Sequence, residues 1–352
     1  MSGALSSAFT PSGHYLDTAT YGLAPEDAVT ALQSVTAQWA AGTYDPLSCD
    51  AVLAHARTAF AQLVHVDAED VAIGHQVSPL VGAVAGSLHA GARVLVPEGD
   101  FTSLLFPFAV AGHELRTVAL EQLADSVDAQ TDVVAFSAVQ SADGRLADLN
   151  AVAAAAQAHG TMTVLDATQA CGWFPFDASR FDVVLIGGYK WLCHPRGTAF
   201  MVARPSARDR LRAVNAGWYA GERPWDTCYG MPLRQAADAR RFDVSPAWFL
   251  WHAAGAALDL IAEIGIDTIH AHDVALANRL RAGLDLDPSD SAIVSFTADD
   301  GAGDRLRAAG VRSSVRAGRV RISSHLYNED ADVDRALEAL HAGSGVTVTV
   351  TA

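Results

Sequence analysis

Two apolar runs that lie close together in the chain each end in a residue suited to chemistry. The first is TVLDATQ, residues 163–169, and the second is FDVVLIGGYKW, residues 181–191. Short β-branched runs of this kind are typical of buried strands. Asp166 ends the first run and Lys190 follows the second. If the two strands are neighbours in a parallel sheet, a carboxylate and an amine meet at one edge of that sheet.

A regular alternation of strands and helices surrounds these two runs. From about residue 68 to residue 203, β-branched stretches alternate with Ala-rich stretches of helical periodicity. We predict strands over residues 71–73, 93–96, 132–136, 163–165, 181–186 and 198–202, and helices over residues 79–89, 102–111 and 149–159. This order predicts an α/β fold with a mostly parallel, doubly wound sheet, in which ligands bind at the carboxyl ends of the strands.

The remainder of the chain divides around a segment of different composition. Residues 214–246 are rich in Trp, Tyr, Gly, Pro and Arg and have weak periodicity, which is typical of a functional loop region. We expect an N-terminal arm over residues 1–25, a large domain over residues 26–246, and a smaller α+β domain over residues 247–352 that includes part of the arm. The alternation over residues 346–351 fits either a strand or a frayed end.

Composition excludes several classes of partner. Half of the 352 residues are apolar and the formal net charge is −16, which argues against nucleic acid and anionic membrane surfaces. The most apolar helix, residues 248–264, contains charged residues and is predicted to be buried in the protein. No signal peptide or zinc-type Cys/His spacing is evident, so we expect a cytoplasmic protein with four free thiols and no metal.

Asp166 and Lys190 together suit pyridoxal 5′-phosphate (PLP). This cofactor pairs its ring nitrogen with a carboxylate and condenses its aldehyde with a lysine. Each residue alone has an ordinary explanation: Lys190 as a surface lysine after a turn, and Asp166 as a helix N-cap, with Gln169 completing a capping box. Two observations favour the cofactor: the other basic residues are nearly all arginine, and Gly187 and Gly188 permit a close approach of the backbone.

Three further groups of residues fit such a cofactor and an amino-acid substrate. Ser78 opens a predicted helix with Pro79 at its first position, so free N–H groups there would bind phosphate. Phe101 follows a strand and would lie against the cofactor ring, although a core aromatic is the more common explanation. Arg319 and Arg321 would lie on one face of a strand, where a guanidinium could bind a carboxylate or merely protect a sheet edge.

Five segments resemble the class V aminotransferase family of fold-type I PLP enzymes, and together they span nearly the whole chain. That family includes cysteine desulfurases, kynureninase and isopenicillin-N epimerase-like proteins. The resembling segments are YLDTAT (residues 15–20), DATQA (166–170), YKWL (189–192) with PRG (195–197), FDVSP (242–246), and RISSHLYN (321–328) followed by an acidic segment. The lysine segment and the RISSHLYN ending are the specific ones.

The resemblance implies a fold and a role for individual residues. The fold would be a large domain around a seven-stranded, mostly parallel sheet with a smaller C-terminal α+β domain. Lys190 would form the Schiff base. Arg316 is a further candidate for the substrate carboxylate from its place in the C-terminal arginine run, and Trp218 lies in an aromatic segment, residues 218–225, that would either shape substrate specificity or pack at a dimer interface. The other roles implied by the resemblance are these: Asp166 at the pyridine nitrogen, Gln169 and Ser141 near the phenolic oxygen, Phe101 on the ring, Val77, Ser78 and Tyr189 at the cofactor, Arg321 at the substrate carboxylate, and Ser245 at the phosphate of a neighbouring subunit. A homodimer with a shared active site follows from the last role.

Departures from the family pattern reduce the number of reactions that the chain is expected to catalyse. Residues 309–320 contain no cysteine, where desulfurases carry a mobile one, so persulfide transfer is disfavoured. We expect an aminotransferase acting on an α-amino acid or amine. C–S or C–C lysis and epimerisation remain open alternatives. A non-enzymatic binding module is disfavoured because Asp166 and Lys190 are both present, and a Rossmann-type dinucleotide enzyme because no G-x-G-x-x-G follows an early strand.

Overall fold

The computed structural model describes residues 6–342. The first residues of the predicted arm and the alternating segment at residues 346–351 therefore lie outside the described residues. The strands are β1 (His14–Tyr15), β2 (Val71–Gly74), β3 (Arg93–Pro97), β4 (Glu114–Val118), β5 (Val133–Ser137), β6 (Met162–Asp166), β7 (Val183–Gly187), β8 (Ala199–Ala203), β9 (Ile293–Phe296), β10 (Val311–Arg312), β11 (Ser314–Arg316) and β12 (Arg319–Ser323). The α-helices are α1 (Glu26–Ala41), α2 (Ser48–Leu63), α3 (Val77–Ala85), α4 (Thr102–Val110), α5 (Leu149–His159), α6 (Pro205–Arg208), α7 (Trp248–Ile264), α8 (Ile266–Gly283), α9 (Ala302–Ala308) and α10 (Asp330–His341).

A seven-stranded sheet forms the centre of the protein. Its order is β2-β8-β7-β6-β5-β3-β4, and all neighbours from β7 to β4 are parallel, while β8 is antiparallel to both β7 and β2. The predicted α/β fold with a mostly parallel sheet is thus confirmed. The prediction missed β4, whose side chains are half-buried or exposed because it lies at the sheet edge. Only a weak apolar pattern marks such a strand.

Alternate side chains of the central strands enter two separate apolar clusters. Phe136 and Leu165 pack on one face of the sheet with residues of α2, α5 and α7. Ala135 and Val164 pack on the other face with residues of α3 and α4. Because strand side chains alternate between faces, nearly continuous apolar runs are required where both faces are covered. This burial on both faces fixes the carboxyl ends of β5, β6 and β7 as one rigid edge.

The C-terminal part of the chain has its own small sheet and core. Strands β11, β12 and β9 form an antiparallel sheet, and α8, α9 and α10 contribute to the same apolar cluster. The N-terminal arm joins this part, since β1 pairs with β10 and Leu16 is buried in its core. Helix α7 packs instead against α1 and α2. The predicted boundaries of the two domains remain a proposal.

Arg319 and Arg321 lie two positions apart on one strand, β12, as predicted. The chain turns just before this strand at Ala317 and Gly318, whose φ values are 48° and 76°, so β11 and β12 form a hairpin. Arg316 therefore lies opposite Arg319, on the other strand of the hairpin. Helix α3 begins at Val77, so Pro79 is its third residue and not its first. Proline is tolerated there because the N–H groups of a first turn have no partner within the helix.

Helices α7 and α8, of 17 and 18 residues, are the two longest helices of the described chain. Among residues 6–342, no single helix is long and apolar enough to cross a bilayer. This pair meets the length and composition only when its two members are taken together, across a bend of 84°.

Candidate active site

A cavity opens at the carboxyl ends of β5, β6 and β7, beside the N-termini of α3 and α4. Parallel strands bring their carboxyl ends to one edge, so side chains that are distant in sequence meet there. The cavity brings together eight of the predicted site residues, namely Lys190, Asp166, Gln169, Val77, Ser78, Phe101, Tyr189 and Ser141. It is also lined by Gln76, Ser103, Ser137, Thr168 and Arg196. The predicted residues Arg321, Arg316, Trp218 and Ser245 are not part of this lining.

Lys190 is the only lysine in the chain, and it is buried in this cavity. Its Nζ lies 5.6 Å from the centre of the Phe101 ring. Burial lowers the pKa of Lys190 to about 7; the charge of Asp166 opposes this shift, and the nearby arginines add to it. A lysine with a pKa near neutrality carries a large fraction of free amine at neutral pH, which is the nucleophilic form.

Asp166 is buried at the end of β6 and faces the same cavity. Its Oδ1 accepts a hydrogen bond of 2.8 Å from the backbone N–H of Thr168. Burial raises the pKa of Asp166, although hydrogen bonds from Thr168 and the charge of Lys190 oppose the shift. The alternative explanation of Asp166 as a helix N-cap does not hold, because residues 168–173 form turns. Asp166 therefore caps no helix, and a cation in the cavity would be the natural partner of its charge.

The amide of Gln169 is held by partners on both sides. Its Nε2 donates to the Ala19 carbonyl at 2.9 Å and to Ser141 Oγ at 3.2 Å, and its Oε1 accepts from Trp191 Nε1 at 2.8 Å. The alternative of a capping box with Asp166 therefore does not hold. Both amide hydrogens already have acceptors, so the donation to a phenolic oxygen would require one of them to change partner. That role remains a prediction.

Arg321 lies directly behind the cavity wall. It is 1% exposed, and its guanidinium contacts Ser141 and donates to Thr20 Oγ1 at 2.7 Å. Its Nη2 is 3.8 Å from Asp17 Oδ1, and its Nε is buried without a hydrogen-bond partner. Burial lowers the pKa of Arg321 to about 10, with Asp17 opposing the shift. A substrate carboxylate would reach this guanidinium only if Thr20 or Ser141 moved, so its predicted role stays a prediction.

The other three predicted residues also lie outside the cavity lining. Arg316 is exposed and donates to Thr20 Oγ1 at 3.1 Å. Trp218 packs against Trp225, with ring centres 5.0 Å apart. Ser245 follows Asp243, which is buried against Arg57. The structure of the single chain leaves the roles predicted for Arg316, Trp218 and Ser245 as predictions.

Sequence reasoning missed several residues that organise the site. Asp100, which is buried after β3, accepts from Ser137 N at 2.8 Å, from Ser137 Oγ at 2.5 Å and from Phe101 N at 2.6 Å. It thereby ties the start of α4 to the end of β5. Its position after a strand, like that of Asp166, was the available signal. Arg196 lines the cavity with its guanidinium 4.7 Å from the Tyr189 ring centre, and its place in the PRG segment after the lysine was the available signal.

The residues present fit pyridoxal phosphate. A buried carboxylate with a raised pKa suits the ring nitrogen, and the buried lysine with a lowered pKa suits the aldehyde. Gln76, Val77 and Ser78 line the cavity at the N-terminus of α3, where free N–H groups favour a phosphate. The phosphate, ring and aldehyde of one molecule would thus each meet a suitable group within one cavity.

Comparison with known proteins identifies the family. The sequence model described as aminotransferase class-V matches residues 14–300. The chain belongs to the class-V aminotransferase family. It is 28% identical to the uncharacterized aminotransferase YcbU of Bacillus subtilis over 82% of each chain, and 28% identical to isopenicillin N epimerase of Streptomyces clavuligerus over 94% of each chain.

Solved structures agree on the fold of this class-V aminotransferase family member. A complex of the cystine C-S lyase C-DES with its product cysteine persulfide superposes with a TM-score of 0.83, covering 97% of this chain and 99% of that one at 20% identity. A C-DES mutant with glycine covalently linked to its PLP cofactor gives a TM-score of 0.84 at 19% identity, covering 94% and 99% of the two chains. These structures confirm the predicted fold type I, and membership of the aminotransferase class-V family confirms that the chain is an enzyme that uses PLP.

Proposed function

We propose that this enzyme acts on the amino group of an α-amino acid or amine through a Schiff base at Lys190, and that its reaction is transamination. One observation carries the proposal. The chain uses arginine for 23 of its 24 basic residues, and its single lysine is buried in the cavity that also holds Asp166. Arginine stays protonated and forms no imine with an aldehyde at neutral pH, so this position needs a lysine for its chemistry.

The residues that would hold the cofactor are those that line the cavity. Asp166 would bind the ring nitrogen, the start of α3 with Ser78 would bind the phosphate, and Phe101 would lie on the ring. Tyr189 and Ser141 complete the wall. When bound, pyridoxal phosphate supplies an aldehyde for imine exchange and an electron sink for charge developed at the substrate Cα.

The chain's own residues supply positioning and proton transfer. Lys190, once released as a free amine, would take the proton from the substrate Cα and hold it for return, because its lowered pKa is near the operating pH. Asp166 would keep a positive charge on the ring nitrogen, since a carboxylate favours the charged form of a neighbouring cation. Arg321 or Arg316 would orient the substrate carboxylate, and Trp218 would contribute to specificity.

Lysis and epimerisation are the competing reactions, and relatives of both kinds motivate testing them. The similar proteins include an epimerase matched over 94% of this chain and a fold relative described as a C-S lyase. Persulfide transfer is not proposed, because none of the four cysteines lines the cavity.

A product screen on the PLP-loaded enzyme separates these reactions. We expect the amino group of an amino acid to be transferred to an unrelated 2-keto acid. One new amino acid should then form for each keto acid produced from the first substrate. Chiral chromatography of the recovered substrate and assays for pyruvate, ammonia and sulfide run in parallel, with Lys190→Ala as the blank. Release of sulfide or pyruvate without amino exchange would assign a lyase, and inversion alone would assign an epimerase; either result would refute transamination.

We also propose a cytoplasmic homodimer with a shared active site. Tyr229, Met231 and Leu233 are 92%, 83% and 67% exposed, and an exposed apolar set of this kind favours an interface. Ser245 does not line the cavity of its own chain, as expected for a residue that serves the neighbouring one. Light scattering behind size exclusion is expected to give twice the chain mass, and Tyr229→Glu/Met231→Glu to shift it toward one chain. A monomeric wild-type protein at micromolar concentration would refute the dimer.

A further inference from the structure

The backbone around Lys190 is held at three consecutive carbonyl groups, those of residues 189–191. The first accepts from Gly22 N of the N-terminal arm at 3.0 Å, and the second from Cys193 N at 3.1 Å. The third, the carbonyl of Trp191, lies 3.0 Å from Nε2 of His325, which follows β12 near the other end of the chain. Elements from both termini therefore fix the peptide units that carry the lysine.

His325 is itself fixed by a carboxylate on its other side. Its Nδ1 lies 2.8 Å from Oδ2 of Asp273 in α8, and both side chains are fully buried. A carbonyl oxygen only accepts hydrogen bonds, so Nε2 must carry a hydrogen toward Trp191. Although burial opposes a charge on the ring, the carboxylate of Asp273 raises the pKa of His325 to about 10. Both ring nitrogens of His325 therefore carry a hydrogen.

Trp191 connects this pair to the cavity wall. Its indole packs edge-on against the His325 ring, with centres 5.2 Å apart and planes at 79°. Its Nε1 donates to Gln169 Oε1 at 2.8 Å, and Gln169 lines the cavity. Gln169 is also held by Ala19 and Ser141, so a displacement of the Trp191 peptide would move the base of Lys190 more than it moves Gln169.

We propose that His325, oriented by Asp273, is a positioning residue for Lys190: its hydrogen bond to the Trp191 carbonyl holds the lysine where its amine meets the cofactor aldehyde. The inference rests on the role proposed above for Lys190. His325 does not line the cavity itself, so it acts on the reaction through Trp191, chiefly through the backbone carbonyl next to Lys190. The covalent step should therefore depend on His325 while non-covalent occupation of the cavity should not.

Two amide substitutions at position 325 each retain one of the two hydrogen bonds of His325 and remove the other. His325→Asn keeps a donor near the place of Nδ1, toward Asp273, and loses the bond to Trp191. His325→Gln keeps a donor near the place of Nε2, toward Trp191, and loses the bond to Asp273. Both variants lose one buried hydrogen bond, the ring charge and the ring packing. His325→Gln is the harsher of the two for stability, because it leaves the buried Asp273 carboxylate without its donor. A larger effect of His325→Asn on the lysine therefore cannot come from general damage. Thermal melting of each confirms that the variant is folded before it is compared.

Two ligands then distinguish a loss of Lys190 positioning from a general loss of the cavity structure. The full chain is freed of cofactor, and the rate at which PLP is captured by Lys190 is followed by the new visible absorption and by borohydride trapping. Affinity is measured in parallel for 4′-deoxypyridoxine 5′-phosphate, which has the ring and phosphate but no aldehyde. We expect His325→Asn to slow capture at least tenfold with analogue affinity within threefold of wild type, and His325→Gln to stay within threefold on both.

Several outcomes would overturn the inference. Equal capture rates in the two variants, or parallel losses of capture and analogue affinity, would reduce His325 to a packing residue. If His325→Asn does not fold, Asp273→Leu tests the other side of the ring, with Asp273→Asn as its conservative control. The inference then requires Asp273→Leu to slow PLP capture without loss of analogue affinity, and Asp273→Asn to restore the capture rate. Failure of wild-type protein to give a Lys190 adduct would refute the proposed function instead, so the two failures are distinguishable.

Discussion

Lys190→Ala is expected to eliminate covalent cofactor binding and to lower turnover by about 10³-fold or more. A positioned proton-transfer group alone contributes about 10²–10⁴-fold, and loss of the imine-forming amine adds to that effect. The measurement is borohydride reduction of the PLP-loaded enzyme followed by peptide mass analysis. Because Lys190 is the only lysine, the wild-type adduct has one side-chain location available to it.

Lys190→Arg is the matched control for this experiment. It retains the positive charge and much of the side-chain length, but the guanidinium does not deprotonate at accessible pH. We expect the Arg variant to lose the adduct and the activity as completely as the Ala variant. A reduced adduct that persists in either variant at any position but the N-terminal amine would contradict the assignment, as would activity in Lys190→Arg above a tenth of wild type.

Arg57→Leu is expected to lower the free energy of unfolding by about 3–5 kcal/mol, as found when one partner of a buried ion pair is removed. Arg57 Nη2 is 2.7 Å from Asp243 Oδ2, and the two residues are 8% and 1% exposed. Asp243 Oδ1 also accepts from Ile73 N in β2 at 2.8 Å. The substitution would leave a buried carboxylate without its cation, and urea titration followed by circular dichroism measures the loss.

A double variant shows whether the cost comes from the unpaired charge. Arg57→Leu/Asp243→Asn removes both charges and keeps an amide oxygen for Ile73 N, so we expect it to recover more than half of the lost stability. Arg307→Ala breaks an ion pair in which both side chains are nearly 80% exposed, and it should change stability by less than about 0.5 kcal/mol. A single variant at Arg57 that costs under about 1 kcal/mol would show that the pair is dispensable.

The sheet and the centre of the site could be predicted from local patterns. Strands that are buried on both faces need continuous apolar runs, so β5, β6 and β7 can be recognised in the sequence. Asp166 and Lys190 can be recognised as the reactive residues at the ends of two of them. Edge strand β4 lacked this pattern because solvent covers part of it. The sequence left open whether Asp166 caps a helix; residues 168–173 form turns instead, and Gln169 donates to the Ala19 carbonyl.

The remaining part of the site depends on contacts between distant parts of the chain. Thr20 and Arg321 meet across 301 positions, and Asp273 and His325 across 52. No local periodicity encodes such a contact, because it arises from how packed elements are arranged and not from the order of residues within one element. Hydrogen bonds that fix Gln169 and the Trp191 carbonyl belong to this group.

The sequence by itself determined the α/β class, the two strand ends that present Asp166 and Lys190, and the membership of a PLP-dependent family. These features follow from residue chemistry and from the period of apolar side chains, which are local properties. Only the tertiary structure decided the environment of Lys190. Burial lowers its pKa, and the two ends of the chain meet around it, because desolvation and long-range packing exist only once the chain is folded.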